Sequence, residues 1–317
     1  MKSYQILIII LVAVILFWIA PCFAIFILIF CRRHRPENAM KKPYFVPIRD
    51  KMEESIAFLE GLSPKEVTVT ARDGIRLYAR WFDQGKKKTV IMAHGFKASA
   101  YSNFCISGKV FWERGYNLLL IDQRMHGRSE GRHTTYGLEE QYDLLRWIDW
   151  AKEHTETEEL FVYGVSMGCA QMAFASDKIG PERVKAMILD CGFTSVRDQL
   201  VKVAVQKHAP WKGIVPVLRL AVRLRWGHDV YVPVADSLKR TRIPAFFLHG
   251  EADQTVPVTD GQRNYEACAS KKEICIVPGA EHTMAFVVGG KEVWDRLFAF
   301  LDQAAEHNKM EQKEGKS

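Results

Sequence analysis

Gly164-Val165-Ser166-Met167-Gly168 sets a serine between two glycines, directly after the apolar run Leu160-Phe161-Val162-Tyr163 and before a helix-forming segment. A serine hydroxyl there is either a small turn residue or a nucleophile. The G-x-S-x-G pattern takes the second meaning where a strand turns sharply into a helix, because small neighbours let the two elements approach and expose the hydroxyl. A serine needs a base, and the base needs an orienting carboxylate. Both are expected in the order Ser, Asp, His, each following a later strand. Asp253, in His249-Gly250-Glu251-Ala252-Asp253, follows the apolar run 245–248, and His282, in Pro278-Gly279-Ala280-Glu281-His282, follows the run 274–277. Glu251 is the alternative acid, with Asp253 then capping a helix, and His249 reads as a strand-end structural residue rather than the base. Acyl transfer also needs donors for the developing oxyanion. His94-Gly95-Phe96 follows the run 90–93, so the backbone amides of Phe96 and Met167 are the expected oxyanion hole, against the plainer reading of His94-Gly95 as a tight turn.

The elements that must hold these groups are legible as a rhythm. Residues 66–70 and 75–82 alternate apolar and polar around Arg72-Asp73-Gly74, which predicts an N-terminal β-hairpin. Short apolar runs then follow at 89–93, 117–122, 160–164, 186–190, 244–249 and 273–277. Longer amphipathic segments separate them at 103–114, 138–154, 167–176, 258–269 and 291–306. Fully apolar strands alternating with helices predict an α/β fold with a mostly parallel sheet covered on both faces. Thr194 to Arg242 interrupts the alternation with helical stretches and prolines at 210, 216 and 233, and reads as a cap inserted between two strands.

His94-Gly95-Phe96, the stretch 122–129 (DQRMHGRS), GVSMG, 190–195 (DCGFTS), 249–257 (HGEADQTVP) and 279–282 (GAEH) together resemble the α/β-hydrolase superfamily. The resemblance covers about residues 65–303 and is nearest to a bacterial branch related to serine aminopeptidases, monoacylglycerol lipases and membrane-anchored esterases. It implies the α/β-hydrolase fold, a Ser166–Asp253–His282 triad, and a structural rather than catalytic network for Asp122, Arg124 and Ser129. Relatives usually carry glycine where Met125 stands, so Met125 either narrows the site entrance or fills a surface gap.

A chain of 317 residues with 48% hydrophobic and 26% charged residues is composed like a folded protein, so disorder is not expected. Seven cysteines without a C-x-x-C pair form neither a disulfide framework nor a zinc pattern, and they read as buried thiols in a reducing compartment. Ile6 to Phe30 contains no charge, long enough for a transmembrane helix; a signal peptide would be shorter and end in a cleavage site. Arg32, Arg33, Arg35, Lys41 and Lys42 follow the run and only Lys2 precedes it, which places the catalytic part on the cytoplasmic side of a cell membrane. The expected organisation is an anchor with its basic flank (1–35), a linker (36–64) whose short amphipathic segment Met52 to Leu59 packs on the domain, a hydrolase domain (65–306, cap about 194–242) and a fraying polar tail (307–317).

Residues 197–242 hold ten Lys or Arg against three Asp. Their stretch 218–226 (LRLAVRLRW) reads as a basic amphipathic helix, either lying on an anionic membrane or covering the site with its arginines in water. The expected function is a membrane-anchored serine hydrolase that cleaves carboxylic esters through an acyl-enzyme. The alternatives are a peptidase, a thioesterase, an acyltransferase, or an inactive membrane protein that keeps the fold. Neither a cofactor nor a metal is implied, and the expected partners are an acyl substrate and the lipid bilayer, with no nucleic acid.

Overall fold

The computed structural model describes residues 3–33 and 43–314. Its sheet has eight strands in the order β1-β2-β4-β3-β5-β6-β7-β8. The hairpin β1 (Lys65–Thr70) and β2 (Arg76–Phe82) leads in, and β2 pairs antiparallel with β4 (Tyr116–Asp122). From there every pairing is parallel, through β3 (Lys88–Ala93), β5 (Glu159–Val165), β6 (Ala186–Asp190), β7 (Ala245–Gly250) and β8 (Lys272–Val277). The pleat divides each central strand between two cores. Val90 and Met92 face one, Ile91 and Ala93 the other, and all four are fully buried. Continuous apolar runs are what such a doubly covered sheet requires.

One face is covered by α4 (Glu140–His154), α5 (Met167–Ala175), α9 (Val258–Ala267) and the cap. The other carries α2 (Arg49–Gly61), α3 (Ala100–Glu113) and α10 (Ala285–Glu314), which breaks at Gly290. The supposed linker is thus structural where it is described: a 3₁₀ turn (Pro43–Ile48) runs into α2, whose Met52 and Leu59 are buried. The polar tail also departs from expectation, since α10 remains helical through Glu314. Its Ala, Glu, Lys and Gln residues are good helix formers.

The cap is present between β6 and β7 as α6 (Val196–Gln206), α7 (Trp211–Trp226) and α8 (Ala235–Leu238). Helix α7 buries Ile214, Val215, Leu218 and Val222 and keeps its arginines outside, where both Nε and Nη2 of Arg219 bond Asp229 at 2.8 and 2.6 Å. A second apolar stripe on the same helix, Val217, Leu220 and Leu224, is exposed.

Over the uncharged N-terminal run the chain forms α1 (Ser3–Phe26) and one π-helical turn (Ile27–Cys31). Its C-terminal turns belong to the domain core: Cys22, Phe26 and Phe30 are buried, and the Phe26 ring stacks on Trp226 at 5.1 Å between centroids. Among the described residues no helix is long and apolar enough to cross a membrane. The last turns of the span expected over Ile6–Phe30 thus pack against the cap and the domain. The basic residues Arg35, Lys41 and Lys42 of the expected flank lie outside the described residues.

Candidate active site

Ser166 sits between β5 and α5 with φ 54° and ψ −109°, a backbone region that side chains other than glycine rarely adopt. Two glycines make this turn possible. A Cβ on Gly164 would run into the backbone of Gly168, and one on Gly168 would overlap the carbonyl of Ala93 at the end of β3. Neither obstacle is a side chain that can rotate away. The Ser166 amide donates to the carbonyl of Asp190 at 2.9 Å, tying the turn to the end of β6.

Two later loops close on that hydroxyl. Asp253 follows β7, and its Oδ1 accepts from the amides of Thr255 and Val256, both at 2.8 Å, which fixes the carboxylate before α9 begins. Its Oδ2 lies 2.6 Å from Nδ1 of His282, and Nε2 of His282 lies 3.2 Å from Ser166 Oγ. Asp253 and His282 are almost fully buried. Burial alone would raise the Asp253 pKa, but the imidazoles of His249 and His282 with the Val256 amide hold it well below the usual carboxylate range. The acid is thus held as the carboxylate at neutral pH. Glu251 is exposed and reaches only the Gly279 amide, at 3.4 Å, so the structure brings Asp253 and not Glu251 to the imidazole. His249 is fully buried behind the acid. Its Nε2 donates to the Val256 carbonyl at 3.0 Å and lies 3.5 Å from Asp253 Oδ2.

The loop after β3 approaches from the opposite side. A Cβ on Gly95 would meet Ser166 Cβ at 3.3 Å, so the segment carrying Phe96 lies against the serine. Met167 opens α5, where amides have no acceptor within the helix. Two histidines hold the loop in place, and only the position of one was evident from the pattern. His94 Nδ1 donates to the Gly95 carbonyl at 2.8 Å, and its Nε2 accepts from the Gln123 amide at 3.1 Å. His126 Nδ1 donates to the Arg124 carbonyl at 2.9 Å, and its Nε2 accepts from the Lys97 amide at 3.1 Å. Each ring uses one nitrogen as donor and the other as acceptor, which requires the neutral form. Burial pushes both pKa values down to about 4, with the neighbouring His94 adding to the effect at His126.

A buried imidazole with a folded pKa below its unfolded value contributes stability that is fully present above the unfolded pKa, here 6.5. That contribution disappears as pH falls toward 4. Both rings are therefore expected to remain neutral Nδ1–H tautomers throughout pH 5–8. Long-range nitrogen–proton NMR correlations of the histidine side chains measure this, and titration of either ring near 6.5 would contradict it.

The remaining polar residues of the motif are structural, as the resemblance implied. Arg124 is fully buried; its Nε and Nη2 both bond Asp143 at 2.7 Å, and its Nη1 reaches Asp73 at 3.0 Å. Ser129 Oγ donates to the Asp122 carbonyl at 2.6 Å and accepts from the Tyr78 amide at 2.8 Å. Met125 has a φ of 65°, which explains why glycine suits this position. Its side chain is buried beside Phe26, Arg33 and Trp226 rather than at the mouth of the cavity in front of Ser166. Cys169 and Cys191 are buried with thiol pKa values raised by burial, so neither is reactive, and all seven cysteines are free.

That cavity has a volume of about 300 Å³ and is lined mainly by apolar side chains, among them Phe96, Tyr136, Phe193, Leu200 and Val203, together with Ser166 and His282. No carboxylate lines it among the described residues. A larger cleft of about 510 Å³ lies between α2, α3 and α10, remote from these groups.

An eight-stranded mostly parallel sheet, a strained serine between β5 and α5, and an acid and histidine after β7 and β8 make one recurrent architecture. The sequence profile of the alpha/beta hydrolase fold matches residues 88–216. The chain has the α/β-hydrolase fold. Among solved structures, the α/β-hydrolase chain resembles the esterase Pf2001 of Pyrococcus furiosus, with a TM-score of 0.64 and 25% identity over 77% of this chain and 93% of that one. Est1E of Butyrivibrio proteoclasticus, solved with ferulic acid bound, shares the fold at a TM-score of 0.54 and 17% identity, covering 78% of this chain and 98% of its own. In sequence this α/β-hydrolase is 26% identical to the uncharacterised protein YqkD of Bacillus subtilis, over 68% of this chain and 71% of that protein. It is 24% identical to the uncharacterised protein YfhR of Escherichia coli K12, over 83% and 87%.

Proposed function

We propose that this α/β-hydrolase is a serine hydrolase of carboxylic esters that works through an acyl-enzyme and is held at a membrane. The observation that carries the first part is the continuous contact from Asp253 through His282 to Ser166, at 2.6 and 3.2 Å. In this reading Ser166 Oγ attacks the ester carbonyl while His282 Nε2 takes its proton. The Phe96 and Met167 amides stabilise the oxyanion, and Asp253 stabilises the imidazolium and fixes its tautomer. His282 then returns the proton to the leaving alcohol. Water, deprotonated by the same imidazole, releases the acid and restores the serine. An ester is favoured over an aminoacyl substrate because a free ammonium would meet no carboxylate in the cavity. The esterase named among the similar structures supports the same class.

Membrane attachment is supported by the surface. Ile6, Leu7, Ile8, Ile9, Ile10, Phe17 and Phe23 of α1 are exposed, and so are Val217, Leu220 and Leu224 of the basic helix α7. Exposed apolar residues on two elements, with arginines beside them, suit an anionic bilayer with the catalytic domain on its cytoplasmic side. A fluorophosphonate probe tests the nucleophile: it labels the wild-type protein and not Ser166→Ala, and persistent labelling of the variant would remove the assignment. Flotation of the full chain with vesicles containing anionic lipid tests the attachment. Failure to float would leave a soluble hydrolase.

A further inference from the structure

The cavity in front of Ser166 is not closed by the hydrolase domain alone. Leu28 and Ile29, from the π-helical turn at the end of α1, line it together with Phe96, Tyr136, Phe193, Leu200 and Val203. The turn is fastened on both sides of these two residues. Before them, Phe26 stacks on Trp226 of the cap. After them, Phe30 is fully buried, its carbonyl accepts from the Thr134 amide at 2.8 Å, and its ring meets Tyr136 edge-on at 5.8 Å. Arg33 then donates to the Gly127 carbonyl at 2.6 Å. Tyr136 also packs on Phe96 at 4.6 Å, so one aromatic ring joins the N-terminal segment to the loop expected to supply an oxyanion donor. A π-helical turn is an uncommon feature that recurs at functional sites. Here it presents Leu28 and Ile29 to the cavity while Phe30 stays in the core.

We infer that the end of the N-terminal helix is a specificity-determining wall of the substrate site, and that the site takes an ester of one medium-length acyl chain. The inference rests on the acyl-hydrolase reading above. A cavity of about 300 Å³ is at the small end of ligand sites. A space of that size suits one hydrocarbon chain. The chain's methylenes would lie between Leu28 and Ile29 on one side and Phe193, Leu200 and Val203 on the other, with the carbonyl at Ser166. Each methylene buried there should raise kcat/KM about fourfold. The rise should stop where the chain fills the cavity.

The test uses the full chain in detergent micelles and p-nitrophenyl esters from acetate to laurate. Ile29→Trp fills the wall and should lower the octanoate-to-acetate ratio of kcat/KM by tenfold or more. Ile29→Ala opens the wall and should move the preferred chain to a longer one. Leu7→Trp, on the exposed part of the same helix, should leave the ratio where it was. A ratio unchanged in both Ile29 variants overturns the inference, as does an equal fall in Leu7→Trp. Should Ile29→Trp fail to fold, Ile29→Ala and Leu28→Ala decide alone: a shift toward longer esters supports the wall, and no shift removes it. Wild-type protein with no Ser166-dependent hydrolysis of any ester in the series would instead overturn the hydrolase reading itself, which the ratios among variants do not address.

Discussion

Replacing Ser166 with alanine should lower kcat for ester hydrolysis by a factor on the order of 10⁵ to 10⁶ while leaving the fold intact. The size of the loss follows from the site acting as a unit. Without the hydroxyl, His282 has no nucleophile to activate, and only binding and the oxyanion donors remain to assist water. Asp253→Asn should cost about 10⁴, because the amide no longer fixes the tautomer that presents an accepting Nε2 to the serine. Its partners, the Thr255 and Val256 amides, still find an oxygen acceptor in the side-chain amide, so the loop survives. Backbone strain supplies a second readout. The φ of 54° at Ser166 is held by the surrounding structure. Ser166→Gly, equally inactive, should melt higher than Ser166→Ala by the equivalent of about 1 kcal/mol. Comparing kcat with thermal unfolding of the three variants checks all of this. A Ser166→Ala protein with a tenth of wild-type activity would exclude the acyl-enzyme route.

The same residues show how far the sequence could be read. The six parallel strands were visible because a strand buried on both faces must be apolar throughout, and the runs from 89–93 to 273–277 have no other use. The places of Ser166, Asp253 and His282 were visible because each stands in the turn or loop that follows such a run. Glu251 and Asp253 were not separable by type or order. They separate only in three dimensions, where one faces solvent and the other is buried against His282. His126 had no periodic signal at all; its role depends on a loop bringing it 3.1 Å from the Lys97 amide. The sequence did not show that the last turns of the N-terminal run pack on the domain. An uncharged helix reads alike whether its neighbours are lipid or aromatic rings, and Trp226, which takes up its end, lies two hundred positions away. The amphipathic segment before β1 was visible as a helix, but its burial of Met52 and Leu59 is a property of α3 as much as of itself.

Gly168→Ala should be the most damaging single-methyl addition in the chain. The added Cβ overlaps the Ala93 carbonyl, so α5 must move away from β3. Ala93 is a fully buried member of the central sheet, paired in register with Gly164 on β5, and has nowhere to retreat. A stability loss of about 3 kcal/mol or more is expected, within the range for backbone-imposed overpacking. The displaced helix carries the Met167 amide and abuts Ser166, so geometry fails together with stability. A shift of about 1 Å at reacting atoms costs on the order of 10²-fold in rate. Two other glycines calibrate the result. At Gly192 the added Cβ meets the Sγ of Cys169, a side chain that can turn, and comes within 3.2 Å of Cys169 Cβ, so Gly192→Ala should cost less than Gly168→Ala. At Gly115 there is open space but a φ of 83°, so alanine there should cost only backbone strain, about 1 kcal/mol. Denaturant unfolding and ester kinetics on the three variants test the ordering. If Gly168→Ala were as stable and active as Gly115→Ala, close contact between α5 and β3 would not be what positions the nucleophile.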